Sequence, residues 1–246
     1  MMSIKNKVII IMGASSGIGA ATTNLLAEKG AKLIIAARRL ERLEALKLSS
    51  PDAEISVKQA DVTDFEQVQA VIDFAKQKYG KIDVLYNNAG IMPTAPLSEG
   101  RRDEWQRMLN INIMGVLNGI AATLPIMKQQ QSGHIIVTDS VAGHHVLPGA
   151  AVYSGTKFAI RAIMDGLRQE EAENNIKTTM ISPGSTGTEL FNTINNQTEK
   201  KNAEDFFKEI DGLQPEQIAT AVAYAVDTSD NMSVSDILIR PTKQSI

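Results

Sequence analysis

The sequence contains no cysteine among its 246 residues, and only 3 are histidine. The lack of cysteine excludes disulfides, a thiolate nucleophile and a cysteine-ligated metal. It is also compatible with a reducing compartment. His144 and His145 are adjacent but have no matching ligands nearby in the sequence, so we expect no metal site.

The sequence also lacks a long apolar run near its N-terminus. The first such run, Val8–Met12, is too short for a signal peptide or a membrane span, which predicts a cytoplasmic protein. The net charge of -3 and the absence of a basic tract disfavour nucleic-acid and membrane partners.

What is present is an ordinary globular composition, with 43% hydrophobic and 22% charged residues. This length and composition fit one domain over residues 1–246. Short β-branched runs alternate with amphipathic segments. We predict strands at Val8–Met12, Lys32–Ala37, Ile55–Gln59, Val84–Tyr86, His134–Thr138, Thr178–Ser182 and Asp236–Ile239, and helices at Gly17–Lys29, Leu40–Leu48, Phe65–Tyr79, Arg101–Gln130, Ala151–Asn174 and Pro215–Val226. Repeated strand-helix units predict an α/β fold with a doubly wound parallel sheet.

One polar stretch, residues 187–211, carries no predicted element. We interpret it as a mobile substrate lid, and a plain surface loop is the alternative.

A glycine-rich turn, Gly13 to Gly19, follows the first strand and opens a helix. Glycines allow close backbone approach, and a helix N-terminus offers free N–H groups to a pyrophosphate. The spacing GxxxGxG without a following Lys-Ser/Thr excludes a P-loop. The turn therefore predicts nucleotide binding, with a simple tight connection as the alternative.

The second strand ends in Ala37, Arg38 and Arg39 rather than in an acidic residue. An acidic side chain there would repel a ribose 2′-phosphate, whereas Arg38 could pair with it. This favours NADP(H), with Arg39 assisting. The alternative is that both arginines are solvated charges.

Tyr153 and Lys157 are four residues apart in a predicted helix and share one face. A nearby ammonium favours the phenolate, so we expect Lys157 to lower the pKa of Tyr153. Ser140 follows a predicted strand and could orient a substrate oxygen beside the phenol. A capping serine is the alternative.

Five motifs in this order span essentially the whole chain: Gly13-x-x-x-Gly17-x-Gly19, Asn87-Asn88-Ala89-Gly90, Ser140, Tyr153-x-x-x-Lys157 and Pro183-Gly184. Together they resemble the short-chain dehydrogenase/reductase family in its single-domain, NADP-preferring form. The resemblance implies a Rossmann-type sheet of about seven parallel strands with helices on both faces. It also implies reversible hydride transfer at C4 of NAD(P).

The resemblance assigns the catalytic roles. Tyr153 would be the general acid in carbonyl reduction and the base in alcohol oxidation, and Lys157 would lower its pKa and bind the nicotinamide ribose. Ser140 would hold the substrate oxygen. Asn112 would position a water that links Lys157 to solvent, and Asn110 suits that role less well.

The same resemblance implies a set of cofactor contacts. Asp61 would contact the adenine and Thr188 the nicotinamide carboxamide. The full expected set is Gly13, Ser15, Ser16, Gly17, Ile18, Gly19, Arg38, Arg39, Asp61, Val62, Asn88, Ala89, Gly90, Tyr153, Lys157, Pro183, Gly184, Thr186 and Thr188.

Two positions depart from the family pattern. Met12 replaces the usual Thr before Gly13, and Asp139 stands beside Ser140 where a small hydroxyl residue is usual. Asp139 adds a negative charge that bears on pH behaviour. The segments around Tyr153 and Arg240 resemble bacterial enzymes acting on small hydroxy acids, serine-like alcohols or ketones.

The predicted pocket walls are Met92, Val146, Leu147 and Phe191, with ordinary core or lid packing as the alternative. We expect His144 and His145 to lie in a loop beside the pocket. Trp105 is interpreted as a packing or subunit-contact residue.

We predict an NADP(H)-dependent enzyme acting on a small carbonyl or alcohol. A nucleotide-binding regulator or scaffold is the alternative. A nucleotide-sugar epimerase or dehydratase is disfavoured, since few residues follow Pro183. The two long helices resemble the family's bundle interface, which predicts a homo-oligomer, either a dimer or a tetramer.

Overall fold

Aliphatic runs that are buried on both faces form the centre of the fold, as expected for a parallel sheet covered by helices. The computed structural model describes residues 4–246. Seven parallel strands pair in the order β3-β2-β1-β4-β5-β6-β7. They are β1 (Val8–Met12), β2 (Lys32–Ala37), β3 (Ile55–Gln59), β4 (Val84–Asn87), β5 (Gly133–Thr138), β6 (Ile176–Pro183) and β7 (Asp236–Ile239). The predicted Rossmann-type sheet is confirmed.

Helices cover both faces of this sheet. They are α1 (Gly17–Glu28), α2 (Leu40–Leu48), α3 (Phe65–Tyr79), α4 (Arg102–Met108), α5 (Gly115–Gln130), α6 (Ala151–Glu170), α7 (Gln197–Glu209) and α8 (Pro215–Val226). One hydrophobic core lies between the sheet and α3, α5 and α6. A second lies under α1, α2 and α8. Because the strands are parallel, their carboxyl ends meet at one open edge of the sheet.

The predicted helix over Arg101–Gln130 begins one residue later and is not uniform. A π-helical segment, Leu109–Met114, joins α4 to α5. By length and composition alone, Arg102–Gln130 is apolar enough to cross a membrane. Val116, Ile120 and Met127 of this stretch are buried in the core with the strands. It packs as a core helix of the α/β fold.

The predicted irregularity of residues 187–211 is wrong. The segment contains a 3-10 turn, Glu189–Thr193, and the helix α7. Asn196 caps this helix by accepting a hydrogen bond from the Glu199 backbone N–H at 3.0 Å. None of the α7 residues is fully buried, and its few apolar side chains alternate with many charged ones, so its sequence does not resemble that of a core helix.

Candidate active site

A cleft of about 610 Å³ lies at the carboxyl edge of the sheet. It extends from the glycine turn after β1, past the ends of β4 and β5, to the segment after β6. Of the predicted catalytic and cofactor residues, all but Gly19 and Asn112 line it. Those two lie just behind its wall.

The glycines of the turn are required by close packing. Gly13 has a φ of +84°, and a Cβ there would lie 2.6 Å from the Ala89 backbone. A Cβ at Gly19 would lie 2.3 Å from the Gly13 carbonyl oxygen. The turn thus lets the α1 N-terminus approach β1 and β4 closely, which brings its free N–H groups to the cleft. Met12, at the position that commonly carries Thr, is buried in the core and supplies no hydroxyl to the turn.

The Asn88 side chain ties three strand ends together. Its Nδ2 donates to the Gly13 carbonyl at 2.9 Å, and its Oδ1 accepts from the Thr138 hydroxyl at 2.8 Å and the Tyr86 hydroxyl at 3.2 Å. The ends of β1, β4 and β5 are therefore held at fixed spacing.

The two arginines after β2 are in different environments. Arg39 donates to the hydroxyls of Ser15 at 3.0 Å and Ser16 at 2.9 Å, and pairs with Glu189 at 2.9 Å. Arg42 pairs with the other oxygen of Glu189 at 2.5 Å. Arg38 is exposed at the cleft, and within residues 4–246 its guanidinium has no hydrogen-bond or ionic partner. Arg38 is thus free to meet an anion, while Arg39 already braces the glycine turn.

Asp61 and Val62 lie at the end of β3. The Asp61 carboxylate accepts from the backbone N–H of Thr63 at 3.0 Å and from its hydroxyl at 2.8 Å. Val62 packs against Gly115, where a Cβ would lie 2.7 Å from a Val62 methyl carbon.

Tyr153 and Lys157 occupy the first two turns of α6 and are both buried. The Lys157 Nζ donates to the Thr138 carbonyl at 2.7 Å and lies 5.7 Å from the centre of the Tyr153 ring. Ser140 caps the turn after β5, since its Oγ accepts from the Ala142 N–H at 3.1 Å. Strand β5 and helix α6 therefore bring the three predicted residues to one place.

The pKa of Tyr153 differs from the expectation. Burial raises the pKa of the phenol, and this effect is larger than the lowering caused by the hydrogen bond with Ser140. Burial also lowers the pKa of Lys157, whose ammonium is directed to Thr138. The expected lowering of the phenol pKa by Lys157 is not seen in this arrangement, and the phenol is held protonated.

Asn112 lies in the π-helical segment, a type of irregularity often found at functional sites. Its side chain exchanges two 2.9 Å hydrogen bonds with the backbone of Ile91 and donates to the Thr156 hydroxyl at 3.2 Å. Thr156 in turn donates to the Tyr153 carbonyl at 2.7 Å. The sequence analysis missed Thr156, which links Asn112 to the helix that carries the tyrosine.

The segment after β6 uses its hydroxyls locally. Thr186 donates to the Gly184 carbonyl at 2.9 Å, and Thr188 accepts from the Leu190 N–H at 3.2 Å. Gln244, near the C-terminus, accepts from the Ser185 N–H at 2.9 Å and lines the cleft. Spacing could not reveal this contact, because it joins positions far apart in sequence.

The substrate end of the cleft is mostly apolar. Met92, Leu147 and Phe191 line it as predicted, whereas Val146 is 65% exposed and does not. One face of α7, which the sequence analysis missed, adds further wall residues at helical spacing: Glu199, Asn202, Ala203 and Phe206. Trp105 packs against the small cluster containing Tyr153, consistent with a packing role.

His144 and His145 lie in the loop between Ala142 and Leu147, beside the cleft as predicted, without lining it. His145 is exposed, and the His144 Nε2 lies 2.8 Å from Arg161 and 3.5 Å from Asp236. Residues 4–246 contain no group of three acidic or histidine side chains arranged to hold a metal ion.

A family model described as short chain dehydrogenase matches residues 7–199. An uncharacterized oxidoreductase of Staphylococcus saprophyticus is 49% identical over 248 residues, covering all of both chains. This chain is therefore similar over its full length to a protein named as an oxidoreductase.

Solved structures share the whole fold. A serine dehydrogenase complexed with NADP+ has a TM-score of 0.91 at 28% identity, covering 97% of this chain and 96% of that one. A levodione reductase has a TM-score of 0.87 at 30% identity, covering 96% of each. A short chain dehydrogenase/reductase from Burkholderia phymatum, solved with NAD, has a TM-score of 0.85 at 27% identity, covering 92% of this chain and 87% of that one.

Proposed function

The chain belongs to the short-chain dehydrogenase family, and we propose that it is an NADP(H)-dependent oxidoreductase acting on a small carbonyl or secondary alcohol. One observation carries this proposal. Strand β5 and helix α6 bring Ser140, Tyr153 and Lys157 together in the cleft that also contains the glycine turn. A scaffold that only bound nucleotide would not need this acid-base set.

The cleft fits a dinucleotide. At Gly13 and Gly19 the backbone packs too closely for any side chain, and the turn leads directly into the N-terminus of α1. Ser15, Ser16 and Ile18 would surround the pyrophosphate there, with Asp61 and Val62 beside the adenine. Asn88 and Gly90 would lie beside the adenosine and ribose, and the segment from Pro183 to Thr188 would flank the nicotinamide half. The bound cofactor would supply or accept the hydride.

The residues of the chain would handle the proton. Tyr153 would donate it to the carbonyl oxygen in reduction and accept it in oxidation. Ser140 would hold that oxygen. Lys157 would bind the nicotinamide ribose when it turns from the Thr138 carbonyl, and its ammonium would then favour the phenolate. Asn112 and Thr156 would keep the start of α6 in place beside the π-helical segment.

Arg38 supports a preference for NADP(H) over NAD(H). It is exposed at the cleft beside Ala37, and residues 4–246 offer its guanidinium no partner. A charge-assisted contact with the 2′-phosphate would satisfy it. Arg39, held by Ser15 and Ser16, would form the second side of that phosphate site.

The charges of the cleft favour an uncharged substrate. The basic residues that line its described part are Arg38, Arg39 and Lys157, and the first two lie at the adenosine end. At the substrate end Glu199 lies on α7, close to Gly149. An anionic hydroxy acid would meet this carboxylate without a cation beyond Lys157. We therefore propose a neutral ketone or aldehyde as the substrate.

The test is oxidation of NADPH with a panel of aldehydes and ketones, including matched neutral and carboxylate-bearing compounds. Tyr153→Phe should reduce turnover about 10²–10⁴-fold and leave NADPH binding intact, since it removes only the proton donor. Tyr224→Phe, on the exposed face of α8, is the matched control. Tight NADPH binding without turnover of any compound would contradict this function and favour a regulator or scaffold.

We also propose a homo-oligomer. Leu109, Met114 and Phe158, on the α4 to α5 stretch and on α6, are 40%, 48% and 43% exposed. Pairing of these helices between copies would bury apolar surface. Light scattering that shows only the 26.7 kDa monomer would refute it.

A further inference from the structure

A buried carboxylate lies directly behind the proposed active site. Asp139 follows β5 and precedes Ser140, and its side chain is completely buried. Gly143 packs so closely that a Cβ there would lie 2.6 Å from the Asp139 Oδ1. That oxygen is buried and has no hydrogen-bond partner within residues 4–246. An incompletely bonded buried carboxylate is costly to keep, so its presence calls for a reason.

The other oxygen of Asp139 belongs to a network drawn from α6, β6, β7 and the turn after β5. Asp139 Oδ2 lies 3.4 Å from the Arg161 Nη1, 3.3 Å from the Ser182 hydroxyl and 3.9 Å from the His144 Nε2. Arg161 makes its shorter bond, 2.7 Å, to Asp236. Asp236 also accepts from Ser182 at 2.8 Å. One arginine therefore serves two carboxylates, and Asp139 has the weaker share.

The part of the Asp139 charge that Arg161 does not compensate acts on α6, the helix that carries Tyr153 and Lys157. Burial raises the pKa of Asp139 to about 6, against the lowering effects of Lys157 and Arg161. Above that pH the carboxylate is ionised. Its charge raises the pKa of Tyr153 and of Lys157, in the latter case against the effect of burial. The first effect disfavours the phenolate form of Tyr153, and the second keeps the Lys157 ammonium charged. Both are expected for a negative charge in a poorly solvated site.

We propose that Asp139 is a positioning residue that acts through Tyr153: its buried charge beside Ser140 adds to the effect of burial in holding the phenol in the proton-donating form, and so extends carbonyl reduction to higher pH. This inference rests on the proposed function. The charge opposes phenolate formation, which alcohol oxidation requires. Reduction needs the protonated phenol and keeps its rate to higher pH. The network through Arg161 and Asp236 fixes the carboxylate in place without cancelling it.

The test compares pH profiles of kcat/KM for carbonyl reduction and alcohol oxidation in the full-length protein. Asp139→Asn should lower the apparent pKa of the tyrosine step by about 1 pH unit in both directions. The profiles of the variant and the parent should converge below about pH 6, where Asp139 is protonated. Asp139→Ser, which carries the family's usual type of residue, is a second variant that should shift the profile in the same direction.

Asp165→Asn is the matched control, because it removes an exposed carboxylate from the same helix, lies outside the Arg161 network and is not among the groups that shift the pKa of Tyr153. An unchanged profile in the folded Asp139 variants, or an equal shift in Asp165→Asn, would overturn the proposal. The ultraviolet difference absorbance between the parent and Tyr153→Phe reports phenolate directly, without turnover. A shift of that titration in Asp139→Asn would support the electrostatic role even if no substrate were turned over, and its absence would refute it.

Discussion

The cofactor end of the cleft and its catalytic end are held together by different means. At the ends of β1 to β4 the shape is fixed mainly by close backbone contact, with glycines where no side chain fits, and by the uncharged Asn88 side chain. At the ends of β5 to β7 it is fixed by buried polar side chains, among them Lys157 and Asp139. Backbone contacts are insensitive to pH, whereas buried ionisable groups are not. The first region is thus suited to binding a constant ligand, and the second to proton transfer.

The largest effect should come from filling the backbone contact at the cofactor end. Gly19→Ala would place a methyl group 2.3 Å from the Gly13 carbonyl oxygen. The methyl group is fixed to the backbone and the oxygen belongs to it, so neither can move aside. We expect a loss of more than about 3 kcal/mol in the free energy of unfolding, with loss of NADPH binding. Urea denaturation and fluorescence titration measure the two.

The control is Gly166→Ala, within α6. A Cβ there would meet only a Glu170 carboxylate oxygen at 4.0 Å. Alanine should stabilise the helix by about 0.5–1 kcal/mol. If Gly19→Ala behaved like this control, close backbone packing would not define the cofactor end.

A smaller effect is expected from the one part of the cofactor end that depends on charge. Arg38→Ala should weaken NADPH binding by about tenfold to a hundredfold, since a charge-assisted bond contributes about 1.5–3 kcal/mol. NADH binding should hardly change. Calorimetric titration with both cofactors, repeated on Arg39→Ala, separates the arginines. Equal weakening for NADH and NADPH would exclude 2′-phosphate recognition by Arg38.

The catalytic end should show the pH dependence that the cofactor end lacks. Folding raises the pKa of Asp139 from 3.8 to about 6, so the folded protein holds this proton more tightly than the unfolded chain. The ionised group therefore lowers stability increasingly as the pH rises from about 4 to 6, and by a constant amount above that. Asp139→Asn should raise the free energy of unfolding by about 3 kcal/mol at pH 8 and by little at pH 4. A pH-independent difference in thermal unfolding would contradict this.

The smallest effect should lie where the two ends meet. Glu189, after β6, pairs with Arg39 and Arg42, and these bonds lower its pKa. We propose that this bridge holds the segment 187–211 over the cofactor. All three side chains are at least 40% exposed, so Glu189→Gln should cost less than about 1 kcal/mol of stability.

The stability supplied by this bridge is present above the ordinary pKa of Glu189 and is lost as the pH falls through its lowered folded value. Glu189→Gln should increase proteolysis within 187–211, with Glu209→Gln, at the exposed end of α7, as control. Equal cleavage of both variants would show that the bridge does not hold the lid.

The sequence predicted the two ends unequally well. Strand β1 and the turn from Gly13 to Gly19 follow from local patterns, because burial on both faces and close backbone approach restrict the residue types allowed there. Tyr153, Lys157 and Ser140 were also placed together correctly, since strand ends of a parallel sheet share one edge. These residues remain functional predictions until they are tested.

The missed features depend on contacts between distant side chains. Helix α7 is amphipathic but mostly polar, with its few apolar side chains, such as Phe206 and Phe207, among many charged ones, so it was not recognised as a helix in the sequence. His144 lies in the loop beside the pocket as expected, but its contacts with Arg161 and Asp236 behind Ser140 could not be predicted from the sequence. Spacing in the sequence could not show that Arg161 connects Asp139 after β5, Asp236 of β7 and His144 of the loop.

The π-helical segment Leu109–Met114 allows one long helical stretch to pack against two different hydrophobic clusters. It acts as a phase shift: α4 presents Met108 to the small cluster around Tyr153, while α5 presents Val116 and Ile120 to the central core. Deleting one residue in this segment would allow a continuous α-helix, in which α4 and α5 would keep nearly their present orientations. It would remove the wide turn that places the Asn112 side chain against the backbone of Ile91. Length at this point is thus as restrictive as residue type.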